Sequence, residues 1–311
     1  MKILLAYLLV IVIWSSTPIA IQFSQTGLDF FTSVSLRMWI SACLSLILVW
    51  IMRQKLALSA RALQSYFAGS VGIYGAMMSV YWGAHYIPSG LISVIYGLAP
   101  MLTGALAYVW LRERELTPIR VLALLIALSG LTLVVSGRLM LDGLAWRGIV
   151  GSLLSVIFFV VSAVWTKQAN AQLHPMVQTS GTLWMSSLMY LLTVPIFGIH
   201  LPEVWSPVAL FSLSYLILFG SLLAFVLYFY ILKHLPTSRV TLITLIAPVL
   251  AVMWGYLLRD ERLQLSSAVG AALLLSALCL YQWHRGPDRA LKSLFNGSLT
   301  KAIQKTLDKT S

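Results

Sequence analysis

The sequence predicts an all-α integral membrane protein, with ten transmembrane helices arranged as two inverted five-helix repeats. Three observations predict this. The chain is 59% hydrophobic and only 10% charged, against roughly 25% charged residues in ordinary soluble domains. Its apolar residues gather into long runs, each near the ~20 residues needed to cross ~30 Å of hydrocarbon. Its two halves also repeat one another at a fixed spacing of 148 residues. A mean hydropathy of +0.89 agrees.

The elements follow in order. The first run, about residues 3–22, starts after Lys2 and ends on small residues at Ala20. That outline resembles a secretory signal, but its length and its place at the head of a polytopic chain make it the first span. Further spans fall at about 31–51, 65–85, 88–110 and 118–137. After a loop around 138–147, the second set falls at about 147–167, 177–198, 207–232, 237–258 and 266–283. Lipid offers no partner for a bare backbone group, so each span is expected to be a helix. The connections leave no room for a soluble domain. The chain therefore divides into a first repeat (1–137), a second repeat (147–284) and a basic tail (285–311).

The repeat is clearest between Tyr86–Arg114 and His234–Arg262. The 148-residue spacing superimposes Pro88 on Pro236, Ala99 on Ala247, Pro100 on Pro248, Tyr108 on Tyr256 and Glu113 on Glu261, without a gap. Five spans is an odd number, so the second repeat enters the membrane upside down relative to the first. Inverted repeats of this kind build carriers whose substrate site lies near the midplane, between the halves.

The net charge is +12. With the N-terminus inside, four of the 21 Lys and Arg face outside (Arg138, Arg147, Arg259, Arg262), and Arg37 lies within a span. The other sixteen share the inner side and the tail. This is the positive-inside pattern with both termini cytoplasmic, and no sign of nucleic-acid binding. Tail residues Leu291, Leu294, Phe295, Leu299, Ile303 and Leu307 recur at helical spacing among lysines, as in a helix lying on anionic inner-leaflet lipid.

The nine acidic residues all fall in or beside loops or in the tail. Cys43 and Cys279 sit inside spans without metal-ligand spacing, and no catalytic triad, HExxH or phosphate loop appears. No catalytic residue, cofactor or metal is therefore expected.

The paired proline turns, the Ala-Pro pairs, the glutamates after the next span, Tyr81-Trp82 and Tyr228-Phe229-Tyr230 together resemble EamA-type transporters of the drug/metabolite transporter superfamily. Trp14, roughly matched by Trp165, fits the same pattern. The resemblance covers about residues 3–284. It implies export of amino acids or similar small zwitterionic or anionic metabolites across a bacterial inner membrane. A drug antiporter of the small multidrug resistance type needs a membrane carboxylate, which these spans lack, so cationic drugs fit poorly. The alternatives are uptake or exchange of nucleoside- or S-adenosylmethionine-like metabolites, or a non-transporting assembly or sensor protein.

Candidate substrate-binding residues are Trp14, Arg37, Tyr74, Tyr96, Trp165 and Tyr228. Arg37 is a charge well inside a span, a functional position by default. The aromatics carry polar atoms that want partners when buried. Ser15, Thr17, Ser93, Thr241 and Thr244 supply hydroxyls. Pro100 and Pro248 break helical hydrogen bonding and are the candidate helix breaks. Gly69, Gly72 and Gly75 read as a close-packing face, and Lys167 as a topology anchor.

Overall fold

The computed structural model describes residues 2–110, 119, 122–123, 125–130, 133, 143–169, 171–235, 240, 243–259 and 265–283. All regular structure among the described residues is helical. The helices are α1 (Lys2–Ser24), α2 (Phe30–Ile51), α3 (Ala60–Val71), α4 (Met77–Gly83), α5 (Ser89–Tyr96) and α6 (Ala99–Trp110). Then come α7 (Ala145–Ala169), α8 (Pro175–Phe197), α9 (Pro207–Tyr215), α10 (Ala224–His234), α11 (Ile243–Arg259) and α12 (Leu265–Trp283). Most of the expected span at 118–137, together with Glu113, Pro236, Thr241, Glu261 and the tail, lies outside the described residues.

Local chemistry sets several helix ends. The Asp29 carboxylate accepts from the Phe31 and Thr32 amides at 2.9 Å and starts α2. Pro175 opens α8, where its missing N–H costs nothing. Gly198, at φ +74°, ends the same helix.

Among the described residues, six stretches are long and apolar enough to cross a membrane: Ile3–Ser24, Phe30–Ile51, Ser89–Trp110, Ala145–Ala169, Pro175–Phe197 and Pro207–His234. Their burial pattern is inside out relative to a soluble protein. Leu192, Ile196, Phe211 and Val109 are each at least 75% exposed, while Ser33, Ser35, Ser41, Ser152, Ser155 and Thr179 are fully buried. Apolar side chains face outward, and small polar ones let helix backbones approach.

The tightest example is α2 on α8. Ser45 and Ser180 share a 2.9 Å hydrogen bond, Trp39 Nε1 donates to the Ser187 carbonyl at 3.2 Å, and Ser187 Oγ donates to the Met38 carbonyl at 3.2 Å. Trp39 and Ser187 are themselves mates at the 148-residue spacing. Other contacts also come in mates. α3 and α4 pack on α7, as α1 packs on α9 and α10; α1 packs on α11, as α7 packs on α5 and α6.

Two stretches wind more widely than an α-helix. A π-helical turn at Gly72–Ala76 joins α3 to α4, and another at Leu216–Leu223 joins α9 to α10. Each contains one of the mates Gly72 and Gly220. Such widened turns cluster at functional sites. A Cβ on Gly72 would collide with Ser162 of α7, and one on Gly75 with the Phe158 ring. These contacts bear out the close-packing role expected of this face.

Candidate functional site

A cavity of about 110 Å³ lies between the halves. Four pairs of mates line it: Trp14 and Ser162, Gly72 and Gly220, Met77 and Phe225, Val80 and Tyr228. Arg37, Thr17, Pro18, Ser93, Tyr96 and Phe159 complete most of the wall. Both halves therefore contribute equivalent positions to one chamber.

Arg37 is the charge in this chamber. Only 1% of its surface is exposed. Nε donates to Ser221 Oγ at 2.9 Å and Nη1 to the Tyr81 hydroxyl at 3.2 Å, with Met77 Sδ at 3.9 Å from Nη1. The guanidinium carbon lies 6.0 Å from the Tyr81 ring centre. Among the described residues no carboxylate pairs with it. Gly220 makes room for it, since a Cβ there would sit 3.1 Å from Nη2. The α2 helix supplies the arginine, while α4 (Met77, Tyr81) and the second widened segment (Gly220, Ser221) supply its cradle.

Aromatic rings line the same cavity. Trp14 lies 5.2 Å from Tyr228 and 5.7 Å from Phe159, centre to centre, and Phe159 lies 5.7 Å from Tyr228 and 6.1 Å from Tyr96. The Tyr96 hydroxyl bonds Ser155, whose own hydroxyl donates to the Ala76 carbonyl at 2.6 Å inside the first widened turn. Thr17 donates to the Ile13 carbonyl at 2.8 Å and Ser15 to the Val12 carbonyl at 2.8 Å, the local backbone bonding usual for hydroxyls in helices.

Trp14, Arg37, Tyr96 and Tyr228 thus meet at one cavity, while Tyr74 and Trp165 do not line it. Tyr74 falls inside the first widened turn and packs against Tyr190, ring centres 4.8 Å apart. Trp165 packs edge-on against Phe67 at 5.6 Å and beside Trp110 at 6.3 Å. The prolines also behave differently from one another. The helix breaks at Gly97–Leu98, so Pro100 sits in the first turn of α6 rather than at mid-helix. Pro248 lies within the continuous α11. Pro18, inside α1 and on the cavity wall, is a further helix proline that the repeat comparison passed over.

The two ends of the chamber carry matched latches. At one end Gln22 Nε2 of α1 donates to the carbonyls of Ala84 at 3.1 Å and Ile87 at 2.9 Å, and its Oε1 accepts from Arg259 Nη1 at 2.6 Å. At the other end Lys167 Nζ of α7 donates to the carbonyls of Leu232 at 2.7 Å and Leu235 at 3.2 Å. Ala84 and Leu232 are mates, as are Ile87 and Leu235. Ile87 packs where α7 begins, against Gly148. Lys167 is nineteen residues further along that helix, about 28 Å at 1.5 Å per residue. The latches therefore sit at opposite ends of the bundle, and Lys167 ties one of them.

A cavity between the halves of an apolar-surfaced helical bundle is the arrangement of a membrane transporter, and the family comparison agrees. The chain belongs to the EamA-like transporter family, whose model matches it twice, at residues 1–136 and 146–282. It is 25% identical over 276 residues to the uncharacterized transporter YoaV of Bacillus subtilis, covering 88% of this chain and 94% of that one. It is 26% identical over 277 residues to an uncharacterized transporter of Archaeoglobus fulgidus, covering 86% and 94%. It is 25% identical over 215 residues to protein PecM of Dickeya dadantii, covering 68% and 70%. One solved crystal structure superimposes with a TM-score of 0.66 over 90% of this chain and 97% of that chain, at 16% identity, a likeness of fold.

Proposed function

We propose that the chain is an alternating-access exporter of small carboxylate-bearing metabolites, amino acids among them, in a bacterial inner membrane. Ten helices in two inverted repeats, with both termini cytoplasmic, carry the mechanism. One observation supports this reading above the others: Arg37 is fully buried, lacks a carboxylate partner among the described residues, and lines a cavity built from mates of both halves.

An arginine at the bilayer centre costs about 2.5–3.5 kcal/mol on insertion scales. A bound carboxylate offsets that cost. Nε and Nη1 are held by Ser221 and Tyr81, which fixes the guanidinium plane. The two hydroxyls accept from the arginine, so their own protons remain available to a carboxylate oxygen alongside Nη2. Exchange between the two latches would then expose the loaded chamber to one side and afterwards to the other.

Counterflow in proteoliposomes loaded with metabolite pools tests this. Arg37→Gln is expected to abolish carboxylate counterflow, and Arg37→Lys to raise the half-saturation concentration, because lysine keeps the charge but loses the planar fork. Normal flux in Arg37→Gln would remove the arginine from the reading.

A further inference from the structure

Among the described lining residues the chamber carries one full charge, that of Arg37, and no carboxylate of opposite sign. Arg37 donates to Ser221 and Tyr81 and has no carboxylate partner among the described residues. For a cation, the described lining residues include no Asp or Glu. The two described acidic residues lie elsewhere: Asp29 caps α2, and Glu203 is in the loop before α9. An ammonium in the chamber would need acceptors for three N–H groups. The Thr17 and Ser162 hydroxyls, which donate to the Ile13 carbonyl of α1 at 2.8 Å and the Gly69 carbonyl of α3 at 3.3 Å, keep lone pairs that can accept but carry no negative charge. The ammonium would also share a confined, poorly screened space with a guanidinium of like sign. Ring faces attract cations, but they do not replace a full hydration shell.

The aromatic wall suits a different group. Trp14, Phe159 and Tyr228 pack on one another with centres between 5.2 and 5.7 Å apart, and all three line the cavity, so together they form an aromatic wall against which a further flat ring can stack by edge or face.

We propose that the preferred cargo is a monocarboxylate with a flat apolar body and no ammonium group. The carboxylate docks on Arg37, and the body lies among Trp14, Phe159 and Tyr228. This rests on the reading of Arg37 as the carboxylate partner, and it narrows that reading by ranking plain carboxylates above amino acids.

Three molecules with one phenyl-propyl or phenyl-ethyl skeleton separate the possibilities: 3-phenylpropionate (anion), L-phenylalanine (zwitterion) and 2-phenylethylamine (cation). Radiolabelled 3-phenylpropionate is equilibrated with the full chain in lipid nanodiscs, and the other two serve as competitors. The expected result is saturable binding, displaced by phenylalanine only at concentrations at least tenfold higher than by unlabelled 3-phenylpropionate, and not displaced by phenylethylamine. Because the comparison uses the native chain, it does not depend on a variant folding. Phenylalanine competing as well as or better than the plain acid overturns this inference and leaves the carboxylate carrier standing. Phenylethylamine competing best overturns both. No saturable binding of 3-phenylpropionate, alongside normal counterflow of another carboxylate, overturns the flat apolar body alone.

Discussion

The two ends of the chamber do the same job with different chemistry. Each latch pins two backbone carbonyls three residues apart, and the four acceptors are mates across the repeat. The donors differ. At the α1 end a neutral amide reaches the carbonyls and is itself steadied by Arg259. At the α7 end an ammonium, Lys167 Nζ, reaches them, and Lys233 Nζ adds bonds to the Gln172 and Leu173 carbonyls beside it. The donors also sit one turn apart: at the 148-residue spacing Gln22 falls on Asn170, and Lys167 on Ile19. Duplication preserved what must be held and let the holder change. A hydrogen bond from a charged donor contributes about 1.5–3 kcal/mol and a neutral one about 0.5–1.5 kcal/mol. On the proposed alternating-access reading, two bonds from an ammonium against two from a neutral amide make the Lys167 end the harder to open.

The largest effect is expected from Lys167→Met. Losing the ammonium should favour opening of that end by about 10- to 100-fold, since ~1.4 kcal/mol is tenfold. A Ser93→Cys probe in the chamber should then react faster with an impermeant thiosulfonate added from the Lys167 side of oriented proteoliposomes. Gln22→Leu should do the reverse, speeding reaction from the α1 side by about twofold to tenfold. Equal responses to both variants from one side would break the comparison.

Smaller effects are expected at the prolines, where the halves also differ. The first half breaks its helix at Gly97–Leu98, two residues before Pro100, with short-range bonds from Gly97 N to the Val94 carbonyl at 2.9 Å and from Leu98 N to the Ile95 carbonyl at 3.0 Å. Pro100 then occupies a first-turn position that suits proline. Pro248 interrupts a continuous helix. Pro248→Ala, which can add a helical hydrogen bond, should slow counterflow several-fold. Pro100→Ala should change it less than twofold. A Pro100 variant slower than its mate would reverse the assignment. Gly97→Ala should slow counterflow more than Pro100→Ala, because its Cβ would lie 2.8 Å from the Val94 carbonyl oxygen.

Much of this was legible in the chain. Run length made the helical character of the described stretches legible, because lipid leaves the backbone no other way to satisfy itself. Arg37 stood out because a charge well inside a span is rare. Trp14 and Tyr96 were found as amphipathic aromatics near mid-span, and Tyr228 through its place in the family resemblance. The widened turns were not legible, since an extra residue per turn leaves composition unchanged. They explain the other misses. One added residue rotates everything beyond it by about 100°, the angle per residue at 3.6 per turn. Which of Tyr74, Met77 and Tyr81 faces inward therefore cannot be read from a regular period. Ser221 was missed for the same reason, one residue after Gly220 in the second widened turn. The signal that would have exposed it was the Gly72–Gly220 match, at the same spacing but outside the stretch where the repeat is most obvious.

The central claim is that the two halves, and so the two latches, face opposite sides of the membrane. His85 and Lys233 are exposed mates, one beside each latch. With Cys43 and Cys279 replaced, a single cysteine is placed at either position, and intact spheroplasts are treated with an impermeant thiol reagent. The account predicts labelling at position 85 and none at 233 until the membrane is permeabilised. Labelling of both positions in intact cells, or of 233 alone, would contradict it.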